Sequence, residues 1–200
     1  MKLNRKNWIW LLAILLFTSC QAGVVSPHGF AKFMKRQDNG LHKSIEIGDF
    51  RYEIDYLPAE WQALREIEAD ISQEKFENAL GDFTEHEYFL LTIKMNGIKR
   101  IGDFIKNNLS DEEMNVIRFS LATKFKLLIG EKEYPCKLYH LEEMALAGTG
   151  LRFFMVYDTK GVVRGERNYV FSFQDDFLGK QKLKLTFKKE DLQNIPSLKL

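Results

Sequence analysis

Hydrophobic and polar positions alternate along most of the sequence from residue 43 onward. In residues 50–56, aromatic or aliphatic side chains at even positions alternate with charged side chains at odd positions. Successive side chains of a strand point to opposite faces of a sheet, so this period of two predicts a half-buried strand. Similar patterns predict about eight strands, at residues 43–47, 50–56, 87–95, 116–129, 133–141, 151–157, 169–173 and 183–187. Their spacing predicts a mainly β fold, an antiparallel β-sandwich of the immunoglobulin-like type.

A helical pattern interrupts the strands between residues 58 and 81. Pro58 suits the first position of a helix, where no amide donor is required, and apolar residues follow it at helical spacing. Ser72 suits the N-cap of a second helix, and Gly81 suits its end. We expect this helical pair to cover one end or one face of the sheets.

Two signals lie close together after residue 109. Ser110 is followed by three acidic residues, which predicts a helix start because serine caps a helix and acids favour its positive end. From residue 116 to residue 129, mostly apolar side chains at odd positions predict the longest strand of the fold. Residues 98–108 fit neither pattern clearly.

The first residues have the layout of a secretory signal. A positive head containing Lys2, Arg5 and Lys6 precedes ten apolar residues, 8–17, and then two small polar residues. A helix that spans a bilayer needs about 20 apolar residues. This run is half that length, so we expect an export signal rather than a permanent span.

The end of this segment resembles the lipobox of bacterial lipoproteins. In residues 16–20, Thr18, Ser19 and Cys20 match the family pattern, while Phe17 stands where leucine is usual. The resemblance implies cleavage before Cys20, a diacylglyceryl group on its sulfur and an acyl chain such as palmitate on its amine. The alternative is an ordinary signal peptide with a chance cysteine. In the family's sorting rule, the absence of aspartate at position 21 favours the outer membrane over the inner membrane.

The predicted organisation has three parts. Residues 1–19 form the signal peptide, residues 20–40 a lipidated tether with a short basic amphipathic segment, and residues 41–200 a single β-sandwich-type domain. Within the tether, Phe30 and neighbouring apolar residues recur at helical spacing among basic side chains. This segment either rests on acidic headgroups or packs on the domain.

Removal of the leader changes the charge of the chain. The full sequence has 29 Lys and Arg against 28 Asp and Glu, and three of the cations precede residue 20. The mature chain therefore carries 26 basic and 28 acidic residues, a net charge near −2. This balance gives the chain no overall positive charge of the kind that binds nucleic acid. A chain of about 180 residues is long enough for one domain with a sizeable hydrophobic core.

Two weak chemical alternatives lie on the predicted strand 133–141. Cys136 has no partner in the chain if Cys20 carries lipid, and a small buried residue explains it most simply. As a nucleophile it would need a base, and His140 is expected on the same strand face but two pairs away. His140 and Glu142 share a face, but zinc needs three or four ligands and no third is identifiable. The sequence thus predicts no catalytic residue, metal site or cofactor.

These observations favour a lipid-anchored protein of the cell envelope, a non-catalytic binding or structural module with an envelope protein as its partner. Loops at sandwich ends carry recognition, so the expected contact surface is the loops 145–150 and 158–168. Arg152, Arg164 and Arg167 would be its polar anchors, unless they are ordinary surface charges. The alternative function is an envelope hydrolase that uses a metal or the Cys136 and His140 pair.

Overall fold

The computed structural model describes residues 23–67, 72–142 and 150–200. The signal peptide, the lipidation site Cys20 and most of the expected contact loop 145–150 lie outside these residues. Within the described ranges, no helix is both long enough and apolar enough to cross a bilayer.

Strands and a few helices build the fold. The ten strands are β1 Val24–Val25, β2 His42–Ile47, β3 Phe50–Leu57, β4 His86–Met95, β5 Phe125–Ile129, β6 Lys132–Leu141, β7 Gly150–Asp158, β8 Tyr169–Gln174, β9 Lys182–Phe187 and β10 Ser197–Leu198. The helices are α1 Pro27–Met34, α2 Ala59–Glu66, α3 Gln73–Phe83, α4 Ile101–Asn108, α5 Asp111–Phe119 and α6 Lys189–Gln193, with a 3-10 turn at Ala122–Lys124.

Eight strands form one antiparallel sheet in the order β2-β3-β4-β7-β6-β5-β8-β9. The prediction of a mainly β fold with about eight antiparallel strands and an inserted helical pair is confirmed, and α2 and α3 are that pair. Strands β1 and β10 form a separate parallel pair.

The sheet folds over itself and is nearly barrel-like, so its two halves face each other across one core. Tyr56 of β3 contacts Tyr169 of β8 with ring centroids 6.0 Å apart, and Phe89 of β4 contacts Phe187 of β9 at 5.5 Å. All four rings are almost fully buried. Each such side chain stabilises the fold by about 1.5–3 kcal/mol on burial. The facing layers expected of a sandwich are therefore parts of one continuous sheet.

The long strand expected at residues 116–129 is wrong in its first half. The chain continues α5 to Phe119, turns at Ala122–Lys124 and enters β5 only at Phe125. The reason lies at Ser110, which forms a complete capping box with Glu113 and thereby fixes the helix start. The apolar residue at 119 extends the alternation by chance, since Phe119 is 77% exposed, whereas Leu121 belongs to the core.

The N-terminal segment packs on the body of the protein. Phe30 of α1 is fully buried and stacks on Trp61 of α2, with ring centroids 6.4 Å apart. Val24 and Val25 pair with Ser197 and Leu198. Of the two alternatives for the basic amphipathic segment, packing on the domain is the one that the structure adopts.

Candidate binding cleft

The three arginines expected to form one surface lie at two different ends of the sheet. Arg152 is near the start of β7, opposite Thr92 of β4, whereas Arg164 and Arg167 follow the end of β7 in the loop 159–168. Asp158 lies six positions after Arg152 along the strand, a distance of about 20 Å. Loops that flank a single strand leave it in opposite directions, so the expectation of one shared surface is wrong.

Two of these arginines are engaged in ion pairs. Arg152 lies 3.0 Å from a carboxylate oxygen of Glu142. Arg164 donates two hydrogen bonds to Glu60 at the start of α2, both of 2.6 Å, and its side chain is only 28% exposed. A bidentate pair of this kind is strong and directional. Arg164 therefore joins the loop 159–168 to the helical pair.

A buried carboxylate lies beneath this ion pair. Glu87 of β4 is 7% exposed and accepts hydrogen bonds from the hydroxyls of Tyr56, at 2.6 Å, and Tyr169, at 2.7 Å. Burial raises the pKa of Glu87 above its ordinary value, while the two tyrosine hydrogen bonds oppose that effect. Burial and the neighbouring Glu87 likewise raise the pKa of Tyr56. This network connects β3, β4 and β8 at the end of the sheet where the loop lies.

The loop 159–168 is fixed at several further points. The amide of Thr159 donates to the carbonyl of Glu85 at 3.0 Å. The side-chain amide of Gln193 donates to the carbonyl of Gly165 at 2.8 Å. The side-chain oxygen of Asn168 accepts from the amide of Lys189 at 2.8 Å. Because its backbone is tied to several elements, the loop presents its side chains in a defined arrangement.

A cleft of about 280 Å³ opens between this loop and the β5–β6 hairpin. Its polar side chains are Lys132, Tyr134, Glu166 and Arg167, and the rest of its lining is apolar or glycine. The ammonium of Lys132 lies 4.5 Å from the ring centroid of Tyr134, a cation–π contact that positions it.

Arg167 crosses the turn of the same hairpin. A Cβ atom at Gly130 would lie 2.5 Å from a guanidinium nitrogen of Arg167, and Gly130 has a φ of 62°. The positive φ favours glycine there, and any larger residue would also displace the flexible Arg167 side chain.

The side chains of Arg167 and Lys132 make no ion pair or hydrogen bond within the described ranges. With Glu166 as the acidic lining residue, the charged side chains of the cleft carry a net charge of +1, which is suited to a carboxylate or phosphate group.

The expectation that Cys136 and His140 share one strand face is wrong. A bulge between Cys136 and Leu138 shifts the register of β6, so Cys136 opposes Tyr157 while His140 opposes Phe154. Cys136 consequently faces the core at 8% exposure, and His140 faces outward. The thiol lies 3.1 Å from the carbonyl of Leu138, and burial raises its pKa to about 11.

His140 and Glu142 share the outer face of β6, as the strand pattern predicts. They line a cleft together with Phe154 of β7. Among the residues that the structure describes, no three His, Cys, Asp or Glu side chains come close enough to hold a metal ion.

Sequence reasoning missed Lys132 and Tyr134 as site residues. The available signal was the Gly130 turn, which brings strand residues of the hairpin beside any loop that packs against it. The Arg164 and Glu60 pair joins residues 104 positions apart, a separation that no local pattern encodes.

Comparisons with known proteins leave the function open. No family model matches the sequence, and no curated protein matches it. Among solved structures, the chain is similar to the crystal structure of a DUF4426 family protein from Pseudomonas aeruginosa PAO1. That similarity has a TM-score of 0.38 and 8% sequence identity, and it covers 74% of this chain and 91% of that chain.

Proposed function

We propose that this chain is a lipid-anchored protein of the cell envelope that binds an envelope protein partner without catalysis. The observation that carries the binding role is the cleft beside the loop 159–168, where Lys132 and Arg167 have no ion-pair partner in the described residues. Burying an unpaired charge is costly, so partners bind such cations through opposite charges. An acidic side chain or chain terminus of the partner fits this cleft.

The location rests on the leader. Cys20 carries the lipid, and the absence of aspartate at position 21 favours the outer membrane over the inner membrane. Two or three acyl chains give stable anchoring, whereas one gives only marginal binding. Strand β1 starts at Val24, four residues after Cys20, so a lipid on Cys20 would hold the folded body close to the bilayer.

The anchor is tested by labelling cells with radioactive palmitate and comparing the wild type with Cys20→Ser. We expect label in the wild type alone, and we expect the variant to leave the membrane fraction. Equal labelling of both chains, or none in the wild type, would remove the anchor from the proposal.

The cleft is tested separately by crosslinking in intact cells, pull-down and mass spectrometry. Lys132→Ala with Arg167→Ala should lower partner recovery about tenfold or more, because charge-assisted hydrogen bonds contribute about 1.5–3 kcal/mol each. The matched control is Lys137→Ala with Arg152→Ala, which removes two cations outside the cleft. Undiminished recovery with the cleft variant would exclude this surface.

A further inference from the structure

A second and larger cleft lies where the helical pair meets the sheet. It has a volume of about 420 Å³ and is bounded by α2, α3 and the outer faces of β6 and β7. Small-molecule sites commonly have volumes of about 300–1,000 Å³. It shares no lining residue with the cleft beside the loop 159–168, so a ligand role for it is independent of the proposed function.

Gln62 of α2 provides an unmet hydrogen-bond donor in this cleft. The residue is 8% exposed, and its side-chain nitrogen has no hydrogen-bond partner in the described part of the chain. Buried polar groups in native proteins are normally paired, and an unpaired one destabilises the fold. The nitrogen itself is covered by protein, but the terminal torsion of glutamine has broad minima, so the amide can turn toward the cleft and donate to an acceptor oxygen of a bound molecule.

The charged side chains of the cleft differ in whether they have an ion-pair partner among the described residues. Glu142 is neutralised by Arg152, at 3.0 Å. Arg65 lies one turn after Gln62 on α2, lines the same cleft and makes no ion pair with the described residues. Residues three apart lie on one side of a helix, so Gln62 and Arg65 are neighbouring donors. Glu66 is the remaining acidic side chain of the lining.

Two aromatic rings provide the apolar wall. Phe83 of α3 and Phe154 of β7 both line the cleft. Each also contacts Tyr88 of β4, with ring centroids 5.7 Å and 6.0 Å from it respectively. Tyr88 thus joins the wall contributed by the helical pair to the wall contributed by the sheet, and it keeps both rings in place.

We infer that this cleft binds a small molecule that combines a carbonyl or carboxylate oxygen with an apolar ring. The Gln62 amide turns toward the cleft and donates to the oxygen, Arg65 is the second donor, and the ring packs against Phe83 and Phe154. The helical pair therefore builds a ligand site as well as covering the sheet.

The test titrates the purified mature chain, residues 20–200 with Cys20→Ser, with phenylacetate and with phenylacetamide while NMR resonances are followed. We expect saturable shifts of the Gln62 side-chain amide and of residues around Phe83 and Phe154. Tighter binding of phenylacetate, weakened by Arg65→Gln, identifies a carboxylate ligand. Equal binding of both probes identifies a neutral carbonyl ligand.

Gln62→Leu removes the donor and should weaken binding at least fivefold while the melting temperature stays the same or rises. Gln62→Glu, which keeps the size but replaces the donor, should weaken it as well. The matched control is Gln73→Leu on the exposed side of α3, which should bind as the wild type does. Absence of saturable shifts with both probes, or undiminished binding by Gln62→Leu and Gln62→Glu, would overturn the inference.

Discussion

Glu87 is a buried residue at which hydrogen bonding and charge can be separated by substitution. Glu87→Gln retains a group that can pair with the hydroxyls of Tyr56 and Tyr169, whereas Glu87→Leu leaves both hydroxyls unpaired. Each unpaired buried hydroxyl costs about 1–3 kcal/mol. We expect the leucine variant to have the lower free energy of unfolding, measured with urea at neutral pH. A leucine variant as stable as the glutamine variant would contradict this role of the network.

The charge of Glu87 gives a pH dependence with a defined sign. Its folded-state pKa lies above the ordinary value of 4.5. Between these two values the folded chain binds more protons than the unfolded chain, so this residue's contribution to stability falls as pH rises. Glu87→Gln lacks this titration. The difference in free energy of unfolding, wild type minus Glu87→Gln, should therefore decrease from pH 4.5 upward, and a difference that increases would contradict it.

Cys136 should be chemically inert in the folded protein. Its thiol pKa of about 11 lies two units above the ordinary value of 9.0. The reactive thiolate is therefore about 100-fold scarcer at mildly alkaline pH. In a Cys20→Ser chain, where Cys136 is the remaining thiol, iodoacetamide should react at least that much more slowly before urea is added than after. Similar rates in the two states would show that the thiol is accessible and activated.

At the scale of single elements, a local cap decides between helix and strand. Ser110→Ala removes the cap of α5 and should lower the free energy of unfolding by about 1 kcal/mol. Ser120→Ala, at the other end of the same helix, is the control and should change it by less than about 0.5 kcal/mol. Urea unfolding measures both. Equal effects would mean that the capping box does not stabilise α5.

The same elements show what the sequence could and could not predict. The side chains of β3 and β8 alternate cleanly because one face is buried, and these strands are where the pattern places them. The second half of α5 imitates a strand because its apolar residues alternate by chance, and the cap at Ser110 is the stronger of the two signals. The bulge after Cys136 leaves only a one-residue shift of the alternation, from apolar residues at 134 and 136 to apolar residues at 139 and 141, and it moves His140 to the other face.

At the scale of the whole molecule, the order of strands determines which loops meet. The candidate cleft combines the β5–β6 hairpin with the loop after β7. The hydrophobic pattern of either segment alone does not show that the two lie side by side. Arg167, which the sequence analysis names as a candidate contact residue, lines the cleft, and its side chain lies against Gly130 of a different element. Local patterns thus predict elements, while sites built from distant segments require the topology.

The packing of α1 predicts that the stable unit begins before residue 41. A chain of residues 41–200 lacks Phe30, and loss of a buried phenylalanine side chain costs about 3–5 kcal/mol. We expect this chain, and Phe30→Ala in residues 23–200, to unfold at clearly lower urea concentrations than residues 23–200 do. Lys32→Ala on the exposed side of α1 is the control. A truncated chain of unchanged stability would show that α1 contributes nothing.

The pairing of β1 with β10 places the last strand beside the first. Four residues from Cys20 to Val24 span at most about 14 Å. A lipid on Cys20 would therefore hold Ser197 and Leu198 near the same patch of bilayer. A donor fluorophore attached after Leu200 should transfer energy efficiently to acceptor-labelled lipids in vesicles. A donor at Asn96, just after the C-terminal end of β4, should transfer much less.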